Sequence, residues 1–401
     1  MKFLSLSVLI ISCSVVSAIS GFINWSFEDD YQDRLLFIHP FINYDYNAYW
    51  YYDWEKNLFK RNGFLFSVGS VTTKDLLVDG TLVINEYLGA GWRFRGEGRW
   101  LETLHLADKE KYTFMGLEKE VINNTSVYLI VNPAYDKENT DINMGILFAD
   151  STYENYLRLG FLWEDFVYDA KNNLVGVTDK TPYALQWVFR YQLDQITVYS
   201  QGRLSQGFKR RFPNKQSSPD LNYHDLLHND FTVKIYYVPS KVSILNLSAY
   251  QYQFQETKIF SADSFNFHYN TRVKDIGLDY LLTFKELNRL QFQLHYVNKK
   301  AKSIGYRQHR FDRNDILMAF SYERFFGKHM IELQYMYALP RWNYDSYHEQ
   351  EQSYAYRGTM DKVKIGWTYQ FPQRSEIHIS ASHEVHEGTF GGANLQYILL
   401  F

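Results

Sequence analysis

Cysteine is almost missing from this chain: Cys13 is the single one in 401 residues. It lies in the apolar N-terminal stretch, and removal of that stretch leaves no thiol. Disulfide frameworks, thiolate metal sites and cysteine nucleophiles are then excluded. Long hydrophobic runs are missing as well. Beyond the N-terminus nothing approaches the roughly 18 consecutive apolar residues of a helical membrane span. Charge of one sign is lacking, with a formal net charge of −3, so composition gives no argument for nucleic acid. Proline is scarce at 8 residues. The sequence has no Walker loop, no G-x-S-x-G and no Rossmann fingerprint; Gly89-Ala90-Gly91 reads as a turn.

Aromatic residues are abundant instead: 34 Tyr, 30 Phe and 9 Trp bring the aromatic share to 18%. They occur in short runs that alternate with polar residues, as a strand does when lipid meets one face and water the other. At the start, Met1-Lys2, the apolar Phe3 to Ser12 and the small residues Val16-Ser17-Ala18 read as a secretory signal cleaved after Ala18. Ile10-Ile11-Ser12-Cys13 loosely fits a lipoprotein processing site, an alternative left open. The expected organisation is a signal peptide over 1–18, a short periplasmic arm over 19–34 and one β-domain over 35–401.

Hairpins are clearest in the second half. Val363, Ile365, Trp367, Tyr369 and Phe371 alternate with Lys362, Lys364, Gly366, Thr368 and Gln370. A strand with two lysines on one face cannot be buried on both. Short turns follow Tyr237, Phe284, Phe326 and Phe371. Long polar segments, read as loops, separate the pairs at 207–229, 255–274, 299–313 and 340–360. Strands running toward the short turns end on outward aromatics at Tyr191, Tyr237, Phe284, Phe326, Phe371 and Phe401, which suggests an interfacial girdle. With nine less regular strands in the first half, the sum is about 18, range 16 to 20. A further pair is expected between Leu35 and Trp54.

The last stretch places Ala393, Leu395, Tyr397, Leu399 and Phe401 on one face of a strand. A period-2 strand ending in an aromatic residue resembles the C-terminal strand of bacterial outer-membrane β-barrels. The resemblance implies a Gram-negative outer-membrane location and an antiparallel up-and-down transmembrane barrel closed by its last strand against its first. It also implies recognition of Leu395, Tyr397, Leu399 and Phe401 by the barrel-assembly machinery. Its partners would be outer-membrane lipid and lipopolysaccharide, with a periplasmic partner or homo-oligomer contacts left open.

A barrel of this size is too wide for its own wall side chains to fill, so the expected function is a porin-like channel for small solutes, anionic or saccharide. Arg93, Arg95, Glu97 and Arg99 share one face, and Arg158, Arg190, Arg203, Lys234, Lys362 and Lys364 fall in the same inward phase. A cationic lumen would favour anions. The plainer reading is that these cations pair with inward carboxylates such as Glu97, Asp279, Glu332 and Glu376. Glu376, His378 and Ser380 share the inward face of one strand and look slightly like a barrel hydrolase site, but alternation aligns polar residues cheaply, so no enzyme is expected. His383, His386 and Glu387 lack the spacing of a zinc helix, and neither metal nor cofactor is expected. The alternatives to a channel are the barrel of a polymer-export or electron-conduit complex, or an adhesin or enzyme acting through its outer loops.

Overall fold

The computed structural model describes residues 55–56, 58–70, 76–103, 109–132, 141–163, 177–180, 183–211, 221–240, 242–260, 266–285, 287–305, 308–346, 352–372, 375–386 and 388–400. The first strands are β1 (Gly63–Ser70), β2 (Leu76–Gly89), β3 (Trp92–Thr103), β4 (Lys109–Ile122), β5 (Thr125–Val131), β6 (Ile142–Ala149) and β7 (Tyr156–Trp163). A short β8 (Val177–Lys180) precedes β9 (Tyr183–Leu193) and β10 (Ile196–Ser205), which β11 (Phe208–Arg211) prolongs. Long strands follow: β12 (Leu221–Ser240), β13 (Ser243–Phe260), β14 (Phe267–Phe284), β15 (Asn288–Gly305), β16 (His309–Phe326) and β17 (His329–Ser346). After β18 (Gln352–Arg357), the sheet ends with β19 (Met360–Gln370), β20 (Ser375–Glu384) and β21 (Thr389–Leu400).

Apart from the short β8, β11 and β18, the strands make a closed antiparallel wall of 18, as the alternation anticipates. Closure runs through β1 and β21, in register from Gly63↔Leu400 to Ser70↔Ala393. The stretch 35–54 lies outside the described residues, and the described wall closes without it. Turns on the side where β1 begins and β21 ends are short. The two-residue turn after β16 needs a positive φ at its first position, which Gly327 supplies at 62°.

Strand alternation gives the wall two chemically different faces. Outward residues of neighbouring strands stand in level rows, one being Ala249, Ile276, Tyr296, Ile316 and Leu339. From Ile316 to Phe326, ten residue steps of β16 rise about 34 Å along the strand, or about 26 Å across a bilayer at the usual tilt of about 40°. That height matches a hydrocarbon core. One step above, the row becomes Gln251, Lys274, Asn298, Asn314 and Arg341. The girdle aromatics Tyr191, Tyr237, Phe326 and Phe371 are all solvent-exposed at the lower edge.

One expectation is corrected. The polar segments at 207–229, 255–274, 299–313 and 340–360 are not simply loops: their described residues are largely strand, within β11 to β19. The hydrogen-bond ladder continues above the membrane. There the outward residues no longer need to be apolar, so the period-2 signal fades while the strand persists.

Depth should decide the effect of a new charge on the outer face. Phe320→Arg, near mid-belt, should destabilise the refolded barrel by about 2–4 kcal/mol, and Asn314→Arg by about 0–1 kcal/mol. Urea unfolding in lipid measures both.

Candidate functional site

Residues 55–56 and 58–62, just before β1, form a strap inside the barrel. Phe59 is buried, its ring edge-on to Tyr156 at 4.7 Å. It belongs with Leu58 to an inward cluster that includes Val83, Leu147, Tyr156, Val188, Tyr199 and Tyr236. The strap backbone is held by side chains of the wall. Arg95 Nη1 donates to Phe59 O at 3.1 Å, Asn85 Nδ2 to Leu58 O at 3.0 Å, and the Tyr156 hydroxyl to Glu55 O at 2.7 Å. Asn62 Nδ2 donates to Glu86 Oε1 at 2.6 Å. Glu55 is fully buried, and its carboxylate accepts from Lys234 Nζ at 2.6 Å and from the Tyr236 hydroxyl at 2.8 Å.

The β6–β7 turn grips the strap from below. Glu154 lies 3.5 Å from both Lys56 and Lys60. Asp150 shapes this turn by accepting from the backbone N–H of Thr152 (2.9 Å), Glu154 (3.1 Å) and Asn155 (3.1 Å). Burial pushes the Asp150 carboxyl up, but the hydrogen bonds from Thr152, Asn155 and the turn amides outweigh it and hold the group below its ordinary range. Tyr153, at φ 56°, carries the ring over which Arg93 sits at 4.1 Å.

Most of the cations singled out in the sequence meet carboxylates. Arg95 bonds Glu118 at 2.5 Å, and Arg158 forms a bidentate pair with Glu97. Arg158 also lies over the Tyr128 ring at 5.0 Å. Tyr128 fits because Gly160 leaves room for its hydroxyl; a Cβ there would collide with it. Arg190 is buried and donates to Glu154 O at 2.5 Å. Lys364 faces Glu332 at 3.4 Å, and Lys362 donates to Gly391 O at 2.7 Å with Glu384 at 4.0 Å. Arg203 follows Gln201 in the inward phase of β10, and Arg99 sits in β3 opposite Tyr112. The interior thus brings both signs together, mostly side by side.

Leu395, Tyr397 and Leu399 lie in the outward phase of β21, with Tyr397 tilted toward Phe64 of β1 at 6.3 Å. Phe401 lies outside the described residues. His378 bonds Thr368 at 2.8 Å across β19 and faces Glu332 at 3.7 Å, while Ser380 is buried opposite Gly366. His386 lies 3.4 Å from Asp361.

Sequence reasoning missed Glu55 and the strap, because an aromatic run beside a charged residue looks like another strand. It also missed His295, whose two ring nitrogens lie 3.1 and 3.2 Å from Asp275 and Asp279. Parity alone would have put those three on one face.

A closed antiparallel barrel of 18 strands, apolar outside over a membrane's height and polar within, has the fold of a porin-like transmembrane β-barrel. The sequence matches no protein-family model and no curated protein. Among solved structures it is similar to a loop L8 deletion mutant of OmpT, an outer-membrane protein of Vibrio cholerae. That match has 11% identity, 85% of this chain, 98% of the other and a TM-score of 0.41. It is also similar to OccK2 (OpdF) of Pseudomonas aeruginosa, at 9% identity, 85% and 97% coverage and a TM-score of 0.39. A triple mutant of the Rhodopseudomonas blastica porin gives 9%, 85%, 99% and 0.33.

Two outcomes are expected. Glu55→Ala leaves Lys234 buried without its carboxylate and should cost about 3–5 kcal/mol, part of which Lys234→Met should restore; urea unfolding of single and double variants decides. For Asp150, a lowered folded pKa means that its stabilisation is complete above the ordinary 3.8 and lost as pH falls through the lower folded value. Hydrogen exchange of the 150–155 amides should therefore accelerate in that acid window, and Asp150→Asn should abolish the step.

Proposed function

We propose that the barrel is a channel for small polar solutes, saccharides foremost. The observation that carries this reading is the layering of the inner face. Near the short turns it is a band of paired charges: Arg95 with Glu118, Arg158 with Glu97, Lys364 with Glu332. Toward the long connections it becomes aromatic, with Tyr250, Tyr252, Phe254, Tyr269 and Phe311 in one cluster and Trp342 and Tyr344 packed against it.

Apolar surface with a few fixed polar groups is the usual lining of a small-molecule site. A sugar ring offers an apolar face to aromatic rings and hydroxyls that both donate to carboxylates and accept from guanidinium groups. A plain anion gains less, since Arg95, Arg158, Lys234, Lys362 and Lys364 already have carboxylate neighbours. Polar lining of this kind, together with bore, sets what a pore admits. The strap narrows the lumen near the short turns.

Liposomes containing the refolded barrel should swell in mono- and disaccharides. Trp342→Ala with Tyr344→Ala should slow sugar entry several-fold while leaving small-ion conductance within about twofold. Ion conductance without sugar entry in the wild-type barrel would overturn the saccharide assignment.

A further inference from the structure

The outer wall of β14 to β17 changes character one residue step above the apolar belt. Lys274, Asn298, Asn314 and Arg341 stand level in the first polar row. The second row is Arg272, Lys300, Asp312 and Asn343, and the third is Asn270, Lys302, Arg310 and Asp345. Arg272, Lys274, Lys300, Lys302, Arg310 and Arg341 are all exposed. Only two carboxylates share these rows: Asp312, 3.7 Å from Lys300, and Asp345, which accepts from the Ser353 hydroxyl at 2.6 Å. At the same levels β13 presents Gln251, Gln253 and Gln255, and β12 presents Leu227 and Asn229. On the other flank β18 adds the exposed Arg357 opposite Arg341, with Ala355 and Ser353 in the next two rows, so the positive charge fades toward β12 and β13 but carries over onto β18. With strands about 4.8 Å apart and same-face residues about 6.8 Å apart, the patch on β14 to β17 spans about 15 by 14 Å.

Its height gives the charge meaning. The rows begin where the apolar band ends, so these side chains face lipid headgroups. Directly beneath, Ile276, Tyr296, Ile316 and Leu339 form the top apolar row. Beside the third row opens a recess of about 340 Å³ lined by Arg310, Asp312, Asn343, Asp345, Ser353 and Ala355. Lysine and arginine only donate, and their charge-assisted bonds to phosphate are strong.

We propose that this face docks the phosphorylated sugar headgroup of the outer-leaflet glycolipid. Its phosphates lie against Arg272, Lys300, Lys302 and Arg310, a sugar enters the recess, and its acyl chains run down the apolar row. This docking is independent of what passes through the barrel.

The test uses the refolded barrel in nanodiscs of neutral lipid, titrated with diphosphorylated lipid A and with fully dephosphorylated lipid A. The quadruple variant R272Q/K300Q/K302Q/R310Q should bind the phosphorylated form at least about tenfold more weakly. Heat-modifiable migration of the variant shows that it folds, and R272K/R310K should keep most of the affinity. Unchanged binding by the quadruple variant, or equal wild-type affinity for both lipids, would overturn the proposal. So would displacement of the lipid by inorganic phosphate at matched concentration.

Discussion

A backbone in hydrocarbon must find every hydrogen-bond partner within the protein, and in this chain one pairing completes that condition. β1 and β21 meet in register from Gly63↔Leu400 to Ser70↔Ala393 and remove the two edges an open sheet would leave in lipid. Everything else depends on that seam. A closed wall forces each strand to divide its residues between lipid and interior, so the row through Ile276, Tyr296 and Ile316 is outward and apolar. The same closure sends Arg95, Glu97, Arg158 and Lys234 inward.

The interior then has its own constraint. Buried charge is costly unless it is paired. Arg158 answers Glu97 from four strands away, and Arg95 answers Glu118 on the adjacent strand. Lys234 finds its carboxylate on no strand at all but on Glu55 of the strap. Because Glu55, Phe59 and Asn62 are held by β2, β3, β7 and β12 together, the strap couples distant parts of the wall while reducing the bore.

Much of the wall is legible in the amino-acid sequence. Val363 to Phe371 alternate cleanly because lipid tolerates only apolar groups on one face and the lumen welcomes lysine on the other. The strand count and the girdle follow from the same rule. The rule stops working where the membrane stops: Arg272 and Lys274 continue β14 without interruption, yet a run of outward polar residues reads as loop. The strap is illegible for a different reason. Its contacts lie far away in sequence, as with Glu55 and Lys234, 179 positions apart, and neither charge shows a period that points to the other. The inward phase of the arginines can be read, but their partners need the register between strands.

The most direct test of this account is single-channel conductance in a planar bilayer, comparing the intact barrel with one whose residues 55–62 are replaced by glycine and serine. Both should conduct steadily, the altered barrel several-fold more, since the strap occupies bore that the wall alone leaves unfilled. A folded, heat-modifiable barrel that conducts nothing in either form would contradict the channel. Equal conductance in the two would show that the strap does not lie in the conducting path.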